Sequence, residues 1–205
     1  MDPDITNGTR KVFFAPDVVM SRNYSALLLG TGDREKPLTT TTNDRFYVIK
    51  DTKVTKGAPS VVTLITDASL AGLGTDGAGI DPEGCAYSFA TNGERVINQP
   101  ITFGGITYFS TNRPLPPSSG SCSRAQSRSY QVPLVCRPPT YRNLVGDGLP
   151  PSPVVGYVDV GNGKLVPFVI GGPNDKNSSI EVNRANILIP GKRKRSYWFM
   201  DNRDR

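Results

Sequence analysis

The feature that most constrains this chain is its punctuation. Short runs rich in β-branched and aromatic residues alternate with glycine and proline, and no long segment carries apolar residues at i, i+3, i+4 and i+7. The 205 residues include 21 glycines and 18 prolines without a collagen period, so the chain reads as many short strands joined by many turns. A hydrophobic content of 37% is enough for a buried core and argues against disorder. The fold class expected is all-β.

Individual strands are legible. Ser25-Ala26-Leu27-Leu28-Leu29-Gly30 is an apolar run that stops at Thr31-Gly32, and Arg45-Phe46-Tyr47-Val48-Ile49-Lys50 is built from strand-favouring residues. Residues 95–103 and 106–111 read as a hairpin across Gly104-Gly105. Residues 153–160 and 164–170 read as a second hairpin across Gly161-Asn162-Gly163. Cys85-Ala86-Tyr87-Ser88-Phe89 is β-like, and residues 196–201 form a last aromatic strand. Residues 72–84, 114–129 and 173–179 are expected as loops.

A weak repeat organises these runs. Pro16-Asp17-Val18-Val19, Pro100-Ile101-Thr102-Phe103 and Pro153-Val154-Val155-Gly156 each lead through a turn into a second apolar run, at spacings of 84 and 53 residues. An irregular hairpin repeat of this kind suits propeller blades with loop insertions, each proline opening an inner strand where a missing N–H is tolerated. Three or four blades fit this length, whereas a closed propeller usually needs about four to eight. The expectation is an open arc that a longer chain or a partner completes.

The same residues exclude much chemistry. The chain has no histidine, which removes Ser-His-Asp and Cys-His catalysis and His-liganded zinc. Gly30-Thr31-Gly32-Asp33-Arg34 lacks the Lys-Ser/Thr ending of a phosphate loop and reads as a strand-end turn with a local Asp33–Arg34 pair. Asp76, Asp81 and Glu83 share a glycine-rich loop without the rhythm that wraps calcium, so a solvated loop is the better reading. No catalytic, cofactor or metal residues are assigned, and an enzyme is not expected.

Net charge is +6, partly concentrated in Lys192-Arg193-Lys194-Arg195. A solvated turn explains that cluster better than a nucleic-acid site, because no basic helix accompanies it. No run of about 20 apolar residues suggests a membrane helix. The start, Met1-Asp2-Pro3-Asp4, is not a signal peptide, so either the protein is cytoplasmic or an exported precursor's first part lies upstream. Asn7, Asn23 and Asn177 open glycosylation sequons by pattern only. Of three cysteines, Cys122 and Cys136 flank a short segment and are the candidate disulfide, with free thiols as the other reading. Cys85 would then be a buried free thiol.

Lys11-Val12-Phe13-Phe14-Ala15-Pro16-Asp17-Val18-Val19 leads to Leu29-Gly30-Thr31-Gly32-Asp33-Arg34-Glu35 and then to Asn43-Asp44-Arg45-Phe46-Tyr47-Val48-Ile49-Lys50-Asp51. Gly93-Glu94-Arg95-Val96-Ile97-Asn98-Gln99-Pro100, Gly148-Leu149-Pro150-Pro151-Ser152-Pro153-Val154 and Arg195-Ser196-Tyr197-Trp198 come after them. Together, and in the same order, these segments resemble segments of the PilC/PilY family of type IV pilus tip and biogenesis proteins. The resemblance implies that residues 1–205 are the C-terminal part of a modified seven-bladed β-propeller. It implies an exported protein at the cell surface, outer membrane or pilus tip that promotes pilus assembly against retraction, surface attachment and twitching motility. Its implied partners are the remaining blades or an N-terminal adhesin domain, pilins and a host receptor. The family's calcium loop lies upstream of the matched stretch, so no calcium ligand is carried over. Loops 72–84 and 114–129 are the candidate contact loops. The competing reading is the propeller of a quinone-dependent periplasmic dehydrogenase, for which no cofactor site can be assembled from these residues.

Overall fold

A computed structural model describes residues 10–21, 24–52, 64–72, 83–115, 125–144, 149–171 and 182–185, and the structural statements below concern these. They form three sheets. The first holds β1 (Asp17–Met20), β2 (Ser25–Gly30), β3 (Arg45–Asp51), β4 (Ala71–Gly72) and β5 (Gly84–Ser88), in the order β1-β2-β3-β5-β4. The middle sheet holds β6 (Arg95–Val96), β7 (Ile101–Phe103), β8 (Ile106–Pro114), β9 (Ala125–Pro133) and β10 (Thr140–Asn143). Its order is β10-β9-β8-β6, with β7 also on β8. The last sheet runs β11 (Val154–Asp159), β12 (Leu165–Ile170) and β13 (Val182–Arg184). All pairings are antiparallel except β4–β5.

The proline repeat is the plan of the fold. Pro16, Pro100 and Pro153 each stand immediately before a strand that opens a hairpin, β1, β7 and β11, of which β1 and β11 are also the first strands of their sheets while the short β6 precedes β7 in the middle one. Each of these pairs with the next apolar run: β2, β8 and β12. β7 packs against both β1 and β11, so the three opening strands are lined up side by side. This is the all-β, propeller-like arrangement expected from the repeat.

Local chemistry explains the turns. Gly104 and Gly105 both take positive φ, 61° and 86°, as a two-residue hairpin between β7 and β8 requires. Two details differ from the sequence expectation. Residues 95–103 are not one strand: β6 and β7 both pair with β8, but residues 97–100 oppose only Phe109 and Ser110. Pro100 has no N–H to give the ladder there, and the extra residues bulge out. Residues 114–129 are not all loop either, because β8 runs to Pro114 and β9 starts at Ala125. The strand expected at 196–201, the basic cluster at 192–195, the sequon asparagines Asn7, Asn23 and Asn177 and the loop at 173–179 lie outside the described residues.

Two clusters form the core. The larger joins the first and middle sheets through Leu28, Phe46, Val48 and Phe89 on one side and Phe109, Tyr130 and Val132 on the other. The smaller joins the middle and last sheets through Phe103, Ile106 and Tyr108 against Val169 and Ala185. The middle sheet is therefore buried on both faces, and the outer two sheets on one face each.

Candidate functional site: the junction segment and the two open faces

The polar chemistry of the molecule gathers on one short stretch, Gly93 to Asn98, where the chain leaves the first sheet and enters the middle one. Its side chains alternate in destination. Glu94 is fully buried. Its Oε1 accepts hydrogen bonds from the Thr111 hydroxyl and the Tyr130 hydroxyl, both at 2.7 Å, and its Oε2 accepts from Arg128 Nη1 at 2.6 Å. A buried carboxylate is tolerable only when its lone pairs are satisfied in this way. Burial first, then the Glu94 carboxylate, pushes the Tyr130 phenol well above its ordinary range, so it stays a donor. Burial alone would lower Arg128, but Glu94 and Tyr130 outweigh it and the net shift is upward.

Arg95 turns the other way. Its guanidinium donates to the backbone carbonyls of Asp33 at 2.9 Å and Lys36 at 2.6 Å, and also to that of Thr39. It thereby cinches the β2–β3 connection, residues 31–44, onto the middle sheet. Val96 seats the sheets themselves. Its N–H donates to the Thr31 carbonyl at 3.0 Å, and a Cβ added to Gly30 would stand 2.3 Å from Val96 Cγ2. Gly30-Thr31-Gly32 is thus a strand end, as expected, whose glycines let a neighbouring sheet approach closely. The Thr31 hydroxyl donates to the buried Asp44 carboxylate at 2.8 Å and accepts from the Arg45 N–H at 2.9 Å. Burial raises the Asp44 carboxyl despite Thr31 and Arg95. Asn98 reaches the last sheet's lead-in: its Nδ2 donates to the Pro151 carbonyl at 2.9 Å while its Oδ1 accepts from the Ser110 N–H at 2.8 Å.

The expected Asp33–Arg34 pair is corrected. Asp33 instead meets Lys11 Nζ at 3.1 Å, and the Arg34 guanidinium lies over the Phe14 ring at 5.5 Å. Nearby, Arg10 and Arg45 share the Asp67 carboxylate. Burial, then Asp67, pushes the Tyr47 hydroxyl up to about 12.

The disulfide is corrected too. Cys136 is bonded to Cys85, not to Cys122, across 51 residues with Cα atoms 5.9 Å apart. Sequence proximity misleads here because the extended strand β9 fills most of the interval between Cys122 and Cys136, spanning roughly 27 Å. The turn after β9, with Cys136 at φ 57°, brings its sulfur back to β5 of the first sheet. Cys85 is therefore no free thiol, and Cys122 lies outside the described residues.

Among the described residues, no group of three or more Cys, Asp and Glu stands ready for a metal ion. Asp76 and Asp81 lie outside them, and the Glu83 backbone carbonyl accepts from the Lys50 N–H at 2.9 Å. No helix among them is long and apolar enough to cross a membrane. Of the candidate contact loops, residues 73–82 and 116–124 are not described; their anchors are β4 and β5 in the first sheet and β8 and β9 in the middle one.

What the described residues do expose is apolar sheet face. On the first sheet, Ala26, Leu28, Phe46 and Val48 face the core at 0% exposure, while on the opposite face Val18 is 55% and Met20 70% exposed. On the last sheet Val169 is 1% exposed, while Val154 is 54% and Val158 46% on the face away from the core. Sequence reasoning anticipated uncovered ends from blade count, but took residues 95–103 as one hairpin strand and missed the junction's polar contacts.

No family model and no curated protein matches the sequence. The structure is similar to the crystal structure of the Pseudomonas aeruginosa PilY1 C-terminal domain, with a TM-score of 0.61 at 14% identity. The likeness covers 89% of this chain but 47% of that one, so the chain spans about half the length of its structural relative. At this identity the likeness shows the fold, and it is a PilY1-like one.

Proposed function

We propose that this chain is the propeller segment of a PilC/PilY-type, type IV pilus-associated protein, acting outside the cytoplasm as a scaffold that binds and does not catalyse. The observation that carries the reading is the fold likeness to the PilY1 C-terminal domain over 89% of the chain. Family-like segments in family order support it independently of the overall score. A disulfide joining two sheets fits an oxidising compartment. Binding is favoured over catalysis because the buried polar groups Glu94, Arg128, Tyr130 and Asp44 are spent on holding sheets and loops in place.

On this reading the protein supports pilus assembly against retraction, and the connections that follow β2, β8 and β12 present its contact surface. Residues 31–44, 115–124 and 171–181 hold the equivalent topological place in the three sheets. Pilins and a receptor at the attached surface are the partners. Deleting the coding segment in its host and counting surface pili tests this. Pili should fall in a retraction-competent strain and return when the retraction motor is disabled. Unchanged pilus number and twitching in the competent strain would overturn the reading.

A further inference from the structure

Two Asn-Gly pairs among the described residues lie at the centre of tight turns, and the fold treats them differently. Asn92-Gly93 turns the chain into the junction segment, with the Glu94 N–H donating to the Thr91 carbonyl at 3.2 Å. Asn162-Gly163 caps the β11–β12 hairpin, with the Lys164 N–H donating to the Gly161 carbonyl at 3.1 Å. Such a pair can modify itself. The glycine nitrogen, once it loses its proton to base, attacks the asparagine side-chain carbonyl carbon. A cyclic imide closes through the new C–N bond, and the side-chain nitrogen leaves as ammonia. Water then opens the ring at one of its two carbonyls, giving aspartate or isoaspartate. A following glycine favours the attack, because no Cβ crowds its nitrogen.

At Asn92 the attacking nitrogen is taken. Gly93 is buried, its N–H donates to the Thr42 carbonyl at 3.0 Å, and a Cβ added there would stand 2.9 Å from Thr40 Cα. The next residue, Glu94, is fixed by its three buried partners. Asn162 has none of these restraints. Residues 161–164 are all exposed. Among the described residues the Gly163 N–H has no hydrogen-bond acceptor, and nothing lies within 4 Å of a Cβ added at Gly161 or Gly163. Asn162 and Gly163 take φ of 55° and 70°, the left-handed pair that closes a two-residue hairpin turn.

We propose that Asn162 is a deamidation site that converts in the folded protein with time, while Asn92 is locked by the junction, and that the conversion loosens the β11–β12 turn. Isoaspartate carries an extra methylene in the backbone, so the left-handed pair can no longer close the hairpin. The bonds at stake are Val160 N–H to the Lys164 carbonyl at 3.0 Å and Lys164 N–H to the Gly161 carbonyl. Either product also adds a carboxylate to a turn that already holds Asp159, whose Oδ1 accepts from the Gly161 N–H at 2.8 Å. The reaction uses only the turn's own atoms and water. It therefore stands apart from the pilus reading, and either can fail without the other.

The test is peptide mapping of the purified 205-residue chain after storage in mildly alkaline buffer, once folded and once in urea. Trypsin puts the two asparagines on different peptides, and each is scored for the exchange of amide for acid and for isoaspartate. In the folded chain Asn162 should convert at least about tenfold faster than Asn92, because a bonded, buried amide must first open. In urea the two rates should converge, since both pairs then share the same following glycine and no structure. Amide hydrogen exchange at Val160 and Lys164 should quicken in the stored wild type but not in stored Asn162→Gly, which keeps the turn and lacks the side chain. Equal conversion in the folded chain overturns the proposal, as does an Asn162 that stays intact while folded. A difference that survives in urea also overturns it, because the cause would then be neighbouring sequence and not the fold. Unchanged exchange after conversion overturns the loosening of the turn.

Discussion

The two joints of this molecule solve one problem with different materials. Between the first and middle sheets, Phe46, Phe109, Tyr130 and Tyr141 stack in a column with ring centroids 4.0, 5.2 and 5.2 Å apart. A buried ion pair and a disulfide are set beside it. Between the middle and last sheets there is a small apolar cluster and a few single hydrogen bonds, such as Ser129 Oγ donating to the Gly171 carbonyl at 3.2 Å. The first joint is specified by geometry, since an ion pair and a disulfide tolerate one arrangement only. The second is specified mainly by apolar area, which is less particular about angle. The middle sheet carries both, one on each face.

The largest effect should come from breaking the first joint at its charge. Glu94→Ala leaves Arg128 buried without its partner and should cost about 3–5 kcal/mol in denaturant unfolding. Replacing Arg128 by Met in the same chain should recover part of that loss. If Glu94→Ala alone costs no more than a surface substitution, the ion pair does not govern the joint. Next comes the covalent staple. Cys136→Ser should cost about 2–4 kcal/mol, because Cys85–Cys136 closes a 51-residue interval in the unfolded chain. An equal effect of reductant on the wild type, absent in the variant, would attribute the loss to this bond.

Gly30→Ala tests closeness of approach and should cost about 1–3 kcal/mol. Adding Val96→Ala should relieve most of it, since the added methyl meets the Val96 side chain. Failure of that rescue would mean that strand propensity and not packing sets the cost. At the second joint, Ser129→Ala removes one hydrogen bond and should cost about 0.5–1.5 kcal/mol. A loss as large as that of Glu94→Ala would erase the distinction between the joints.

How much of this was legible follows the same division. Strands whose alternation is apolar against polar, or apolar throughout, could be read directly: β2, β3, β11 and β12. Strand β9 could not. Its sequence, Ala125-Gln126-Ser127-Arg128-Ser129-Tyr130-Gln131-Val132-Pro133, looks like a polar loop. Its period-two signal is real, with Arg128, Tyr130 and Val132 all facing the first sheet, but Arg128 belongs to the core only because Glu94 neutralises it from 34 residues away. No local pattern shows that. The proline repeat was legible because the missing N–H acts locally at each strand start. The disulfide was not, because its partners are close only after two sheets have packed. At the Glu94–Asn98 junction only the strand character was legible, because the partners that tie Glu94 and Arg95 to other elements lie 17 to 62 residues away.

The smallest effect expected concerns Asp44, and its sign is informative. Burial holds its carboxyl above the ordinary 3.8, outweighing the help of Thr31 and Arg95. Between the ordinary value and the raised one, the folded state binds more protons than the unfolded state, so this group's contribution to stability is greatest at low pH and falls as pH rises through the raised value. Asp44→Asn keeps an acceptor for the Thr31 hydroxyl and removes the charge. Measured by thermal melting from about pH 4 to pH 7, the variant should match the wild type at the acid end and equal or exceed it at neutral pH. If the wild type instead gains on the variant as pH rises, attraction to Arg95 outweighs burial. The loop of residues 31–44 would then be held by charge at both ends, at Arg95 and at Asp44, and the first joint would owe its geometry to ion pairing even more than the Glu94–Arg128 contact indicates.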